Sequence, residues 1–312
     1  MIPTLLTRLY CLCLIAALAI GAVAAPLRAQ QSVVDGSGRR VPLADTSRIL
    51  SIGGDITEIL YALGVDGKII AVDSTSQYPA EALGQKANVG YMRALSAEGV
   101  LSTNPTLIIA AKDAGPPPVI AVLKASSVPY IEVPDDKSPE GVAAKIRFVA
   151  SVVGAEEKGE ALAKDVERDF ALLSEQRSRI KQPKRALFVL SVQNGRATIA
   201  GTGTSADAML KLAGATNVAS EAHGYKPLAD EAGVELAPDA VVTMQHGASG
   251  PPSDAIATIA ALAESPALKQ NKIIEMNGLY LLGFGPRCAR AARELMAALY
   301  PDLALKPASA GE

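Results

Sequence analysis

The sequence predicts an α/β fold of two Rossmann-like lobes joined by a long helical linker. Three observations carry this reading. Strands alternate with helices through both halves, a strand-free helical stretch separates the halves, and one helix–proline–strand block occurs twice.

The alternation begins at 48–52, a short apolar strand. Gly53-Gly54-Asp55 turns, and 56–63 has helical apolar spacing closed by Gly64 as a C-terminal cap. Residues 69–72, 106–111 and 128–133 read as further strands; 106–111 is apolar throughout, as a strand covered on both faces is. Strands interleaved with helices imply a mostly parallel sheet.

The texture changes at Ser138. Up to about Ile180 there is no strand pattern and no proline after Pro139. Val142, Ile146, Val149 and Val153, then Leu162, Val166, Phe170 and Leu173, recur at helical spacing, with Gly154 and Gly159 as possible breaks. Beyond it, strands are expected at 186–191, 197–200, 240–243 and 273–276, and helices at 204–212 and 287–299.

The repeat is the most informative internal feature. Glu98 lies seven positions before Pro105 and the apolar run from Thr106; Glu231 lies seven positions before Pro238 and the run from Ala240. A Gly-Tyr pair precedes each block, Gly90-Tyr91 and Gly224-Tyr225. Repetition at this scale implies two similar lobes with a cleft between them.

The N-terminus reads as an export signal: Arg8, an apolar run from Leu9 to Ala25, then small residues through Ala29. The run sits at the short limit for a membrane span. The expected organisation is a signal peptide over 1–29, an N-terminal lobe over 30–137, a helical spine over 138–182 and a C-terminal lobe over 183–312. Cys11 and Cys13 fall in the signal, so the exported chain keeps Cys288 alone and no internal disulfide. Export is to the periplasm on this reading. A formal charge of −2, falling to −4 without Arg8 and Arg28, is no footprint for nucleic acid or an anionic membrane.

A disulfide-free exported chain of this organisation resembles the periplasmic solute-binding proteins. Within them it is similar to the class III receptors, which have a helical backbone and serve metal, siderophore, cobalamin and haem importers. The segment Asn88-Val89-Gly90-Tyr91-Met92-Arg93-Ala94-Leu95-Ser96-Ala97-Glu98-Gly99-Val100 narrows the resemblance to the haem (hemin) receptors of ABC transporters. It extends through Ala206-Asp207-Ala208-Met209, Leu212-Ala213-Gly214 and Gly224-Tyr225-Lys226-Pro227-Leu228. It implies that Tyr91 binds ferric haem iron and that Arg93 assists, at the phenolate or at a propionate. It also implies one docking acid per lobe for the two subunits of the permease with its ATPase. Glu98 and Glu231 match, with Glu58 and Glu235 as competitors. The expected protein is a monomer.

The chemistry agrees. Phenolate is a hard anionic ligand suited to ferric haem. A phenol ionises near pH 10, so ligation at neutral pH draws on the iron and on a neighbouring cation. A guanidinium is equally suited to a carboxylate. From the opposite lobe Tyr225 and His246 are candidates at the haem, with His223 less well placed. The loop at 191–194 holds no histidine, so a five-coordinate haem, one per chain, is expected. The loops 114–118 and 283–286, rich in Gly, Ala and Pro, are candidate cleft walls.

Other ligands fit less well. Two histidines are few for a bare zinc or manganese receptor, and the absence of Trp argues against a siderophore or cobalamin receptor. The second alternative is an exported enzyme binding a dinucleotide at Gly201-Thr202-Gly203-Thr204-Ser205-Ala206, a loose G-x-G-x-x-A. It lacks the acid expected about 20 residues on. A Gly-rich turn with Thr204 or Ser205 as helix cap is preferred. With no Ser-His-Asp order, paired metal-binding histidines or Walker loop, the chain is read as a binding protein and not an enzyme.

Overall fold

A computed structural model describes residues 31–229, 235–245 and 253–303. The expected signal peptide, Glu231 and His246 lie outside the described residues.

The N-terminal lobe is built on a five-stranded, wholly parallel sheet, order β5-β4-β3-β6-β7. Its strands are β3 (Ile49–Ile52), β4 (Ile69–Val72), β5 (Ala87–Asn88), β6 (Leu107–Ala110) and β7 (Tyr130–Glu132). Between them run α1 (Gly54–Ala62), α2 (Ala80–Gln85), α3 (Ala97–Leu101) and α4 (Pro117–Ala125). Every residue of β3 and β6 is buried, as expected of central strands covered on both faces. An antiparallel hairpin, β1 (Gln31–Val34) with β2 (Arg40–Leu43), precedes the lobe. It is held by Asp35, whose carboxylate takes bonds from Ser37 and Arg39, while Arg39 reaches the Tyr130 carbonyl.

The spine is two helices folded back on one another, α5 (Pro139–Val153) and α6 (Glu156–Arg177). Gly154 makes the break in a left-handed conformation at φ 70°. Gly159 breaks nothing. It lies inside α6, where a Cβ would meet the Ala150 Cβ at 2.2 Å, so its smallness lets the two helices approach.

The C-terminal sheet has the order β11-β9-β8-β12-β13, with β10 also on β8. Its strands are β8 (Arg185–Gln193), β9 (Arg196–Ala200), β10 (Thr216–Asn217), β11 (Tyr225–Pro227), β12 (Ala240–Gln245) and β13 (Ile273–Asn277). The helices are α7 (Ser205–Leu212), α8 (Ser253–Ala257), α9 (Pro266–Lys269), α10 (Gly278–Leu282) and α11 (Cys288–Leu299). The pairs β10·β8, β8·β12 and β12·β13 are parallel; β8·β9 and β9·β11 are antiparallel. The antiparallel part departs from the expectation. For β8·β9 the cause is the Asn194-Gly195 turn, with φ of 51° and 74°, which closes a two-residue hairpin. Residues 191–193, expected as a loop, therefore belong to β8.

The repeated block occupies equivalent places. β6 pairs in parallel with β3 from Ile49↔Leu107, and β12 pairs in parallel with β8 from Ala186↔Ala240. Leu107 and Ala240 keep the offset that separates Pro105 from Pro238.

One apolar cluster runs without interruption from lobe to lobe: Ile56 and Ile59 of α1, Val149 of α5, Phe170 of α6, Met209 of α7 and Leu295 of α11. Such continuity opposes wide hinge opening, since separating the lobes would expose a shared core. Two ion pairs lie along the same seam, and the second crosses it. Lys145 Nζ, buried, donates to Asp55 Oδ2 at 2.6 Å and to the Phe284 carbonyl at 3.4 Å. Arg287 donates to both oxygens of buried Glu58 at 2.9 Å and stacks 3.5 Å over the Tyr78 ring. Removing one partner of such a buried pair leaves a charge without compensation. Lys145→Met is therefore expected to cost about 3–5 kcal/mol in urea unfolding, with much of it recovered in Lys145→Met/Asp55→Leu. A loss below about 1 kcal/mol would contradict this reading.

Candidate functional site

In open α/β sheets, ligands bind beyond the carboxyl ends of the strands. At that edge of the N-terminal lobe, β5 ends and the chain turns at Gly90, φ 95°. Two hydrogen bonds hold the turn: Gly90 N–H donates to Asn88 Oδ1 at 2.8 Å, and the Gly90 carbonyl accepts from Ser74 N–H at 2.8 Å. The next residues alternate. Met92 and Leu95 are buried in the lobe's core, which forces Tyr91 and Arg93 outward. Tyr91 is 45 % exposed.

Arg93 ties the group together. Its Nη1 donates to the Tyr91 hydroxyl at 2.9 Å, and its Nη2 donates to Asp113 Oδ2. Burial works against the Arg93 charge, but the bond and charge of Asp113, with Tyr91, raise its pKa above the ordinary arginine value. Asp113 sits in the loop after β6 and was not among the residues singled out from the sequence. The one available signal was an acid just past the carboxyl end of a central strand.

Tyr225 opens the edge strand β11 and faces the same opening from the C-terminal lobe. Loss of water raises its phenol pKa; Arg93 lowers it, while Asp113 and Tyr91 raise it. Tyr91, Arg93 and Tyr225, three of the expected cleft residues, thus share one electrostatic environment with Asp113.

Other expectations resolve differently. Phe284 is 2 % exposed and belongs to the shared core, and Gly285 packs on Asp55 and Glu58, so the loop 283–286 seals the seam between lobes instead of lining the cleft. Glu58 is consumed by Arg287 and presents no carboxylate for docking. Glu98 is exposed in the first turn of α3, which Ser96 caps, and its carboxylate makes no ion pair among the described residues. Glu235 is also exposed. Cys288 is buried, and burial pushes its thiol up to about 12, which makes it an inert thiol.

The first two N–H groups of the Gly201–Ala206 turn are engaged by the chain itself. Gly201 N–H donates to the Gly224 carbonyl and Thr202 N–H to the Ala222 carbonyl, both at 2.8 Å. A Cβ on Gly201 would meet the Ala222 oxygen at 2.2 Å, and one on Gly203 would meet the His223 ring at 2.7 Å. The glycines answer the close approach of 222–224. Thr204 caps α7 by accepting from Asp207 N–H at 3.1 Å. His223 is exposed and lies beside Gly203, in the C-terminal lobe.

Comparison with known proteins adds to this picture. The periplasmic heme-binding protein RhuT from Roseiflexus sp. RS-1, solved in apo form, is 39 % identical with a TM-score of 0.77; the match covers 82 % of this chain and 99 % of that one. The periplasmic heme-binding protein BhuT, solved with two hemes, is 37 % identical with a TM-score of 0.76, over the same shares. Among curated relatives, the vitamin B12-binding protein of Pectobacterium atrosepticum is 27 % identical over 266 residues, covering 84 % of this chain and 91 % of that protein. The model of the family described as periplasmic binding protein matches residues 49–278. The chain belongs to the periplasmic binding protein family.

Proposed function

We propose that this protein binds haem in the cleft between its lobes and delivers it to an ABC importer. The observation that carries the reading is the 2.9 Å bond from Arg93 to the outward-facing Tyr91 hydroxyl. A phenol held at a cleft mouth with a cation on its oxygen is poised to ligate a hard trivalent iron as phenolate. The solved structures whose names specify heme are 26–39 % identical, against 26–27 % for the vitamin B12-binding relatives. The haem is ferric, Tyr91 is its axial ligand, and Arg93 supports the phenolate. Tyr225 and His246, both in the C-terminal half of the sequence, are the further candidates at the haem. The protein works as an exported periplasmic monomer, its signal over 1–29 removed. It docks through Glu98 and Glu231 on a permease dimer carrying its ATPase.

Stoichiometry has two readings. One haem per chain follows if Tyr91 alone ligates. Two stacked haems, one on each tyrosine, are favoured by the placement of Tyr225 opposite Tyr91 and by the likeness to BhuT with its two hemes. Titration with hemin followed at the Soret band decides: saturation at one equivalent is expected, and a second equivalent lost in Tyr225→Phe supports the other reading. Cyanocobalamin added in parallel should leave tryptic protection unchanged. Protection by cyanocobalamin with no Soret band from hemin would overturn the haem assignment.

A further inference from the structure

We propose that Asp113 is a positioning residue that reserves Arg93 for the Tyr91 oxygen and keeps it off the haem propionates. The inference rests on Tyr91 as the haem ligand and settles which end of the haem Arg93 serves.

The pairing is built into the backbone. The loops carrying Arg93 and Asp113 are stitched by two reciprocal bonds: Gly115 N–H donates to the Met92 carbonyl at 2.8 Å, and Leu95 N–H donates to the Gly115 carbonyl at 3.0 Å. Each loop also closes its own turn, Ala94 N–H on the Tyr91 carbonyl at 2.8 Å and Ala114 N–H on the Ala111 carbonyl at 3.1 Å. Met92 and Leu95 anchor the first loop in the core, and Gly115 is buried in the second. Asp113 is therefore presented to Arg93 by main chain, before any side-chain attraction acts. An isolated exposed ion pair contributes little; here the loops have already met the ordering cost.

The consequence is a guanidinium with one N–H of each Nη atom assigned. Nη1 goes to the phenol and Nη2 to the carboxylate. A propionate approaching Arg93 would meet the like charge of Asp113 at the same guanidinium, a repulsion that grows as the cleft loses water. The charges also balance. Phenolate and carboxylate contribute two negatives, the guanidinium and the ferric porphyrin core two positives. A neutral set is cheaper to enclose than one with a net charge. This side of the cleft then reads iron, and propionates are read elsewhere or left in water.

The test compares hemin with its dimethyl ester, both delivered from the same detergent, in wild type, Arg93→Ala, Asp113→Asn, Asp113→Glu and Asp113→Asn/Arg93→Ala. The readout is the ratio of hemin affinity to ester affinity. Wild type, Arg93→Ala and Asp113→Glu should share one ratio. Asp113→Asn frees Nη2 for a propionate and should raise the ratio about tenfold. Arg93→Ala in that background should return it to the wild-type value. A lower ratio in Arg93→Ala alone, or no change in Asp113→Asn, overturns the proposal. Failure of the haem reading looks different: wild type gives no Soret band with hemin, and the proposal falls with it.

Discussion

Tyr91→Phe is expected to abolish the tyrosinate charge-transfer features of the ferric complex and to weaken hemin binding by well over 100-fold. Loss of an outer-shell partner of a metal ligand costs roughly 10–100-fold in affinity, and removal of the ligand atom itself must exceed that. Phenylalanine retains the ring and loses only the oxygen, so packing is spared. The fold should not notice: Tyr91 stands out of the core, and the loop is held by Gly90, Met92 and Leu95. Arg93→Ala should fall within the outer-shell range, since it removes the 2.9 Å donor and leaves the ligand. The two variants thus separate ligand from support. An unchanged visible spectrum in Tyr91→Phe would remove Tyr91 from the iron, whatever the affinity does.

Much of this arrangement was legible before any coordinates. Strands β3, β4, β6 and β12 were readable because they are short apolar runs ended by turn residues, whereas β1, β2, β5, β10 and β11, two to four residues each, offered no such run. The spine was readable because Val142, Ile146, Val149 and Val153 keep helical period. The cleft pair Tyr91 and Arg93 was marked by a motif and by its place after a strand. What stayed hidden was mostly long-range. The Lys145–Asp55 and Arg287–Glu58 pairs join residues 90 and 229 positions apart, a distance that no local pattern spans. Glu58 looked like a surface acid for the same reason: its partner lies in the other lobe. Asp113 carries no local signature, because its meaning comes from two loops meeting at Gly115. The β8–β9 hairpin was different. Its Asn194-Gly195 signal lies in plain view, and an expectation of parallel strands outweighed it.

Glu98→Lys should leave hemin affinity near wild type while haem uptake and receptor-stimulated ATP hydrolysis collapse. The physical case begins with what Glu98 lacks. It is exposed at the start of α3, and no cation inside the described residues claims its carboxylate. Glu58, the buried competitor, is fully engaged by Arg287. Helix-dipole stabilisation by an acid in the first turn is worth about 0.3–1 kcal/mol, which sets the ceiling for a purely structural role. Truncating one partner of a desolvated interfacial charge pair costs about 2–5 kcal/mol, or roughly 30-fold and upward in docking affinity. Charge reversal adds repulsion from a permease arginine to that loss. The two roles therefore differ in size and in place. A structural acid predicts that Glu98→Gln and Glu98→Lys both lower the melting temperature slightly and spare transport. A docking acid predicts an unaltered melting curve, an unaltered Soret titration and uptake that falls in order from wild type to Gln to Lys. The deficit of the Gln variant should narrow when receptor concentration is raised, and narrow with salt, which screens the charge pair that only the wild type makes. The symmetry of the partner adds a second demand. Two like permease subunits ask for one acid from each lobe, so Glu231→Lys should reproduce the Glu98→Lys defect, and the double variant should be no better than the worse single one. Normal uptake in both single variants would move the docking surface away from this repeat and towards Glu235, the remaining exposed acid of the block.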